Sequence, residues 1–211
     1  MSVIQPPSPR YTIKNSISSL VITIPSRKNW FIVFFIGFWL VGWAFGEIAV
    51  GGILFTGAIT ILGSLLGLLK NSSDISGAGV VAFSGVGLFL VAWFGMWTVG
   101  GFFAIRSFLW QLTGVENIEV DSQSITLQRL IFNFGRPKTY LAEHIKDLRT
   151  VSNNNYSFGW SRGMNFWGLM DGSIAFDYGA KTFRCGSGAD EAEAKDIIKA
   201  IQKRFPHYQM K

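Results

Sequence analysis

Hydrophobic positions are concentrated in the first half of the chain, where they form two long runs. Residues 30–69 contain a single charged residue, Glu47, and residues 75–105 contain none. About 20 consecutive apolar residues are enough for an α-helix to cross a bilayer. We therefore predict two membrane spans, over residues 30–50 and 79–105. The lipid bilayer would then be the first partner of this protein.

The apolar segment between these spans, residues 51–69, allows more than one interpretation. Its glycines, threonines and serine make it a poor straight, lipid-facing helix. It could lie in the outer interface, re-enter the membrane or extend the hairpin. As a third span, it would move Arg106 and the whole C-terminal half to the other side of the membrane.

Basic residues adjoin both predicted spans and argue against a third one. Residues 1–29 contain four basic residues and no acidic one, Arg27 and Lys28 immediately precede the first span, and Arg106 follows the second. Because Lys and Arg gather on the side that is not translocated, we predict an even number of spans and cytoplasmic termini. These three side chains are candidates for contacts with lipid headgroups. We expect the first span to be an uncleaved anchor, since a polar segment precedes it.

The sequence on both sides of the apolar block favours β-structure. Ser19–Lys28 contains short β-branched residues in alternation and predicts one strand before the first span. A lone strand leaves its backbone groups unpaired, so it must pair with strands after residue 106. Short connections there, such as Gly135-Arg136-Pro137, favour antiparallel hairpins. The predicted strands are Asn117–Val120, Ser124–Phe134, Lys138–Val151, Ser173–Phe176 and Lys181–Cys185.

Two further elements complete the C-terminal half. Residues 188–205 carry an apolar stripe, with acidic residues near the start and basic residues near the end. This pattern predicts a helix capped by Ser187 that covers an open face of the sheet. Asn153–Asp171 is rich in asparagine, glycine and aromatic residues and is predicted to be a long loop.

Several short motifs add a family resemblance. The segments Ile24–Arg27, Gly114–Val120 and Ile174–Thr182, and a tryptophan pattern in each span, resemble those of a group of bacterial inner-membrane proteins. Members of this functionally uncharacterised group have a two-helix hairpin and a pleckstrin-homology-like (PH-like) domain. The resemblance implies a split domain, in which a strand before the hairpin completes a sheet formed after it.

The predicted fold class is therefore membrane α+β. A two-helix transmembrane hairpin is inserted into a PH-like antiparallel β-barrel or sandwich with a C-terminal helix. The predicted parts are a flexible polar leader, a first strand, the hairpin and the remainder of the PH-like domain, over residues 1–18, 19–28, 29–106 and 107–211. The expected location is the bacterial inner membrane, with a multi-pass topology.

The tryptophan pattern, W-x-x-x-W-x-x-G, occurs at Trp39 and Trp43 in the first span and at Trp93 and Trp97 in the second. Residues i and i+4 share a helix face, so each pair forms one indole stripe. We predict that the rings lock the hairpin by close packing with the interleaved glycines, which include Gly42, Gly46, Gly95 and Gly100. The alternatives are an indole-lined slot for a lipid, quinone or pigment, or a contact with another membrane protein.

Glu47 is the one acidic residue in these spans. It lies about 26 Å from Trp30 along a helix, close to the outer boundary of a bilayer, and is predicted to be an ordinary solvated carboxylate. Trp30 and Trp110 suit aromatic belts at the other ends of the spans.

The remaining residue types give little support for catalysis. One cysteine, Cys185, and two histidines, His144 and His207, are a poor basis for a metal site, and no nucleophile-elbow motif is present. Cys185 is predicted to be a small, half-buried packing residue. No cofactor is predicted. No nucleic-acid partner is predicted either, because basic residues and aromatic platforms are not interleaved as in single-strand binders.

These features favour a non-enzymatic, membrane-anchored interaction or scaffold module that binds a protein or lipid partner at the cytoplasmic face. The alternative is a membrane subunit that binds a small molecule or lipid in the tryptophan-lined hairpin. A membrane enzyme is a third, less supported class.

Overall fold

A computed structural model of the chain describes residues 9–66, 85–151 and 172–208. The chain divides into two compact units. The sheet unit comprises the residues up to Trp30 and those from Ser107 onward, and the helical unit comprises Phe31–Arg106. The predicted loop at residues 153–171 lies outside the described residues, as do residues 67–69 of the middle apolar segment and residues 79–84 of the predicted second span.

Two long apolar helices account for the hydrophobic block. Helix α1 spans Trp30–Leu65 and helix α2 spans Gly85–Thr113. Both are long and apolar enough to cross a membrane. Helix α1 continues without interruption from the predicted first span into the middle apolar segment, which therefore extends the helix as far as Leu65. At 1.5 Å per residue, α1 is about 54 Å long, well beyond the ~30 Å of a hydrocarbon core.

The sheet unit contains two antiparallel sheets and a C-terminal helix. The first sheet has the order β1-β2-β3-β4-β5 and the second has the order β6-β7-β8. The first sheet consists of β1 (Thr12–Asn15), β2 (Leu20–Pro25), β3 (Val115–Val120), β4 (Ser124–Leu130) and β5 (Pro137–Leu141). The second consists of β6 (Ile145–Thr150), β7 (Ile174–Tyr178) and β8 (Lys181–Cys185). In the described part of the chain neither sheet closes on itself, so the structure has an α+β architecture without a closed barrel.

Strand β2 pairs with a strand from beyond the apolar helices, as the unpaired-backbone argument predicts. Leu20–Pro25 aligns antiparallel with Val115–Val120, and Ile22 faces Ile118. On its other side β2 pairs with β1, which lies within the predicted flexible leader. The predicted flexibility of the leader is therefore wrong for Thr12–Asn15. These residues form the edge strand that pairs with the backbone of β2.

Two predicted features of the sheets differ from the structure. The strand predicted over Lys138–Val151 is interrupted by the 3-10 turn Ala142–His144. The turn predicted at residues 135–137 lies instead at Phe132 and Asn133, both with positive φ, and Ile131 and Phe134 pair on either side of it.

The C-terminal helix α3 spans Glu191–Arg204, and its N-cap is Asp190 rather than the predicted Ser187. Asp190 accepts a hydrogen bond from the backbone of Glu193, whose side chain accepts one from the Asp190 backbone. This capping box satisfies two N–H groups at once. The helix packs on the core of the sheet unit through Ala194, Ile197, Ile198 and Ile201.

Candidate functional site

The indole stripes meet in the helical unit. The Trp93 and Trp97 rings stack with centroids 5.0 Å apart, and Trp39 from α1 lies 5.8 Å from Trp97. Helical spacing puts Trp93 and Trp97 on one face of α2, and α1 brings Trp39 against Trp97. Three of the four predicted tryptophans therefore form one aromatic cluster.

The fourth tryptophan, Trp43, closes the contact between the helices. Its Nε1 donates a hydrogen bond of 3.3 Å to the backbone oxygen of Trp97. A Cβ atom built on Gly101 would lie 2.1 Å from the Trp43 ring, so only glycine leaves room for the indole. Small residues that admit a neighbouring ring in this way are how membrane helices pack closely.

The glycines predicted to provide this packing do not do so. A Cβ at Gly42, Gly46, Gly95 or Gly100 would meet nothing within 4 Å. Gly101, one residue beyond the W-x-x-x-W-x-x-G pattern, takes the role instead. No sequence signal distinguishes it from Gly100, because the choice depends on how the two helices are rotated against each other.

Glu47 faces the second helix and is only half-buried. The Thr98 hydroxyl donates a hydrogen bond of 2.5 Å to its Oε1. The other carboxylate oxygen, Oε2, and the indole Nε1 of Trp97 are both buried without a hydrogen-bond partner among the described residues. The prediction of an ordinary solvated carboxylate is therefore incomplete, since Glu47 takes part in the contact between α1 and α2.

The candidate headgroup residues are exposed. Arg27 and Lys28 lie in the segment between β2 and α1, and Arg106 is exposed on α2. Of the two predicted belt tryptophans, Trp30 is 57% exposed. Trp110 is buried in the sheet unit, so the belt prediction is wrong for that residue.

A charged network of the sheet unit lies next to Trp110. The Arg129 guanidinium lies 5.9 Å from the Trp110 ring centroid, a distance typical of a cation–π contact. The Arg129 Nε also approaches Glu116 Oε1 at 3.4 Å. The last residues of α2, which belong to the sheet unit, thus contact β4 through Arg129, and Arg129 in turn contacts Glu116 of β3.

Glu116 is the centre of this network, and sequence reasoning missed it. Its side chain is 1% exposed. Its Oε2 accepts hydrogen bonds from the backbone N–H groups of Gly186 and Ser187, at 3.0 and 2.9 Å, and from the Ser187 hydroxyl at 3.0 Å. Charge-assisted bonds of this kind are about twice as strong as neutral ones. Glu116 therefore holds the loop before α3 against the sheet. In the sequence, only its position in the Gly-Val-Glu motif pointed to this residue.

Two other residues considered in the sequence have ordinary surroundings. Cys185 packs in the core of the sheet unit, as predicted, but it is fully buried rather than half-buried. Burial raises the pKa of its thiol well above the ordinary value. His144 is exposed in a 3-10 turn, with its Nε2 3.2 Å from Glu143. Within the described ranges, no group of three or more His, Cys, Asp or Glu side chains could hold a metal ion.

Comparison of the chain with family models, curated proteins and solved structures finds no match. The function of the chain is therefore inferred from the geometry of each of its two units.

Proposed function

We propose that this chain is a membrane-anchored interaction module of the bacterial inner membrane, with the PH-like fold that its motifs resemble. The apolar helices form a transmembrane hairpin, and the sheet unit lies on the cytoplasmic side, where it binds a protein or lipid partner. The module is non-enzymatic.

The observation that carries this proposal is the position of β2. This strand precedes the helices, yet it is an interior strand of the sheet, between β1 and β3. Its side chains Leu20, Ile22 and Ile24 are all buried in the core of the sheet unit. The chain must therefore leave and re-enter the sheet unit on one side of any membrane that the helices cross. A crossing and a return satisfy that requirement, and the basic residues beside both helices support a cytoplasmic location.

The helical unit supports an anchor rather than an open ligand slot. The Trp97 indole contacts those of Trp39 and Trp93, and Trp43 fills the space above Gly101. Packing of this type holds helices together where lipid removes the hydrophobic drive.

Cysteine labelling tests the topology. Cys185 is buried, so single cysteines can be introduced at two exposed positions, Lys14 before the helices and Ser122 after them. We expect a membrane-impermeant maleimide to label both sites only after the cells are opened. Labelling of either site in intact cells would contradict the proposal. In a second test, a reporter fused at Ser73, in the connection between the helices, should face outward.

Binding of a small molecule within the hairpin is a second candidate, favoured by Glu47 Oε2 and Trp97 Nε1, which are buried without a hydrogen-bond partner in the described part of the chain. A ligand that accepts one hydrogen bond and donates another would satisfy both groups. Mass spectrometry of the protein purified in mild detergent separates the two functions. An anchor should carry no stoichiometric small molecule, and Trp93→Leu should lower its stability. A binding subunit should carry a ligand that Trp93→Leu removes without unfolding the protein.

A further inference from the structure

The β4–β5 hairpin ends in exposed aromatic side chains. Phe132 and Phe134 are 57% and 83% exposed, respectively. They flank Asn133 at the tip of a tight turn, in which Phe132 has a φ of 50° and Asn133 a φ of 64°. Left-handed backbone is unfavourable for a bulky residue. Phe132 therefore occupies a strained position and buries little apolar surface in return.

Basic residues stand directly behind this tip. Residues 122–142 contain Arg129, Arg136 and Lys138 and no acidic residue. Arg136 and Lys138 are exposed, and neither forms an ion pair with another described residue. Phe134 is opposite Ile131, and Lys138 is opposite Leu127. Directly paired residues share a face of a sheet, so one face carries Phe134 at the end and Lys138 farther back.

The tip lies at the end of the sheet where the chain passes to the apolar helices. Pro25 pairs with Val115, and Val115 pairs with Leu130, so these three residues form one row across the sheet. Helix α1 begins at Trp30, five residues after Pro25, and helix α2 ends at Thr113, two residues before Val115. The hairpin extends from Leu130 beyond this row.

From this arrangement we propose that the tip of the β4–β5 hairpin inserts Phe132 and Phe134 into the interface of the membrane that the helices cross, while Arg136 and Lys138 contact anionic headgroups. The inference rests on the anchoring role proposed above. Aromatic rings favour the headgroup boundary, and each basic residue near an anionic surface is attracted to it. An anionic membrane surface therefore suits both the exposed aromatic rings and the basic residues next to them. The hairpin gives the sheet unit an attachment besides its two chain connections.

The test uses the full-length protein, because the sheet unit is made of two separate chain segments. An environment-sensitive fluorophore is attached at Asn133→Cys, between the two phenylalanines, and at Ser122→Cys as the matched control. Ser122 is also an exposed turn residue, but it lies at the opposite end of the sheet, beside the Leu20–Val120–Ile125 row. One dye per chain shows that Cys185 stays buried and that the sheet unit is folded.

The labelled proteins are reconstituted into phosphatidylcholine vesicles with and without phosphatidylglycerol. We expect the Asn133→Cys probe to be quenched by lipids spin-labelled in the upper acyl chain and to be several-fold less accessible to iodide than the Ser122→Cys probe. The double substitution Phe132→Ser and Phe134→Ser should make the tip probe accessible to iodide. Arg136→Gln with Lys138→Gln should remove the added protection given by phosphatidylglycerol.

An iodide-accessible tip probe in both types of vesicle would overturn the insertion and favour a protein partner at this tip. That result is compatible with the anchoring role if two conditions hold. The protein must resist alkaline extraction, and the cysteines of Lys14→Cys and Ser122→Cys must be labelled on the same side of the membrane. Extraction from the vesicles, or labelling on opposite sides, would instead contradict the anchor itself.

Discussion

Glu116 in the sheet unit and Glu47 in the helical unit are both acidic side chains that face protein, but their hydrogen bonding differs. Glu116 in the sheet unit is 1% exposed and accepts three hydrogen bonds through one oxygen, with Arg129 near the other. Glu47 in the helical unit is half-buried; among the described residues it accepts one hydrogen bond, from Thr98, and its second oxygen has no partner. A satisfied buried carboxylate stabilises a fold, whereas an unsatisfied one is costly.

This difference in hydrogen bonding follows from the donor groups that lie within reach of each carboxylate. In the sheet unit, the turn before α3 brings two free backbone N–H groups and a hydroxyl to Glu116. In the helical unit, helix backbone bonds already use the N–H groups, so only side chains such as Thr98 can reach Glu47. Among the described residues, Glu47 therefore accepts fewer hydrogen bonds than Glu116.

The largest effect is expected from Glu116→Ala, which leaves buried N–H groups and the Arg129 side chain without their acceptor. We expect a loss of about 3 to 5 kcal/mol of unfolding free energy. Denaturant titration can follow it through labelling of Cys185, which becomes reactive only when the sheet unit unfolds. Glu119→Gln, an exposed change on the same strand, is the control; equal effects of the two changes would contradict the importance of Glu116.

Gly101→Ala tests the packing in the helical unit. The new Cβ would collide with the Trp43 ring, so overpacking should cost about 1 to 3 kcal/mol. Tryptophan fluorescence during titration with a denaturing detergent measures this loss. Gly100→Ala places its Cβ in open space and should be neutral or slightly stabilising. Cys185 labelling should remain unchanged in both variants, because the damage is confined to the helical unit.

Thr98→Val removes the hydrogen bond that Glu47 accepts from the Thr98 hydroxyl. Hydrogen bonds between membrane helices are worth about 0.6 kcal/mol on average, so the same titration should show a small loss. The matched change is Thr56→Val, because the Thr56 hydroxyl bonds only within α1, to Gly52 and Ile53. A loss as large as that of Glu116→Ala would mean that the two carboxylates are equally important after all.

The smallest effect concerns pH and a surface ion pair of the sheet unit. Arg149 donates hydrogen bonds to Asp177, at 2.9 and 3.3 Å, and lowers the pKa of that carboxyl, with a further bond from Thr182. Because the folded pKa is below the unfolded one, the pair stabilises the fold above about pH 4 and loses this effect as the pH falls through the folded pKa. The difference in denaturation midpoint between the wild type and Asp177→Asn should therefore shrink on acidification. A constant difference would contradict this sign.

Much of the sheet unit was predictable from local sequence. Alternation predicted β2, and the cost of an unpaired strand predicted its partner beyond the helices, because hydrogen-bond satisfaction is a general requirement. The turn of the β4–β5 hairpin was misplaced, since Gly135 and Pro137 are strong turn residues whereas Phe132 is not. The edge strand β1 was missed because its short polar sequence gains its structure from pairing with β2.

By itself, the sequence determined the two apolar helices, the charge beside them and the division of the β segments around them, because length, hydropathy and backbone pairing act locally or as simple sums. Only the tertiary structure decided which glycine admits Trp43, which carboxylate is satisfied and which end of the sheet displays Phe132 and Phe134. Those outcomes depend on helix rotation and strand register, which bring together residues far apart in the chain.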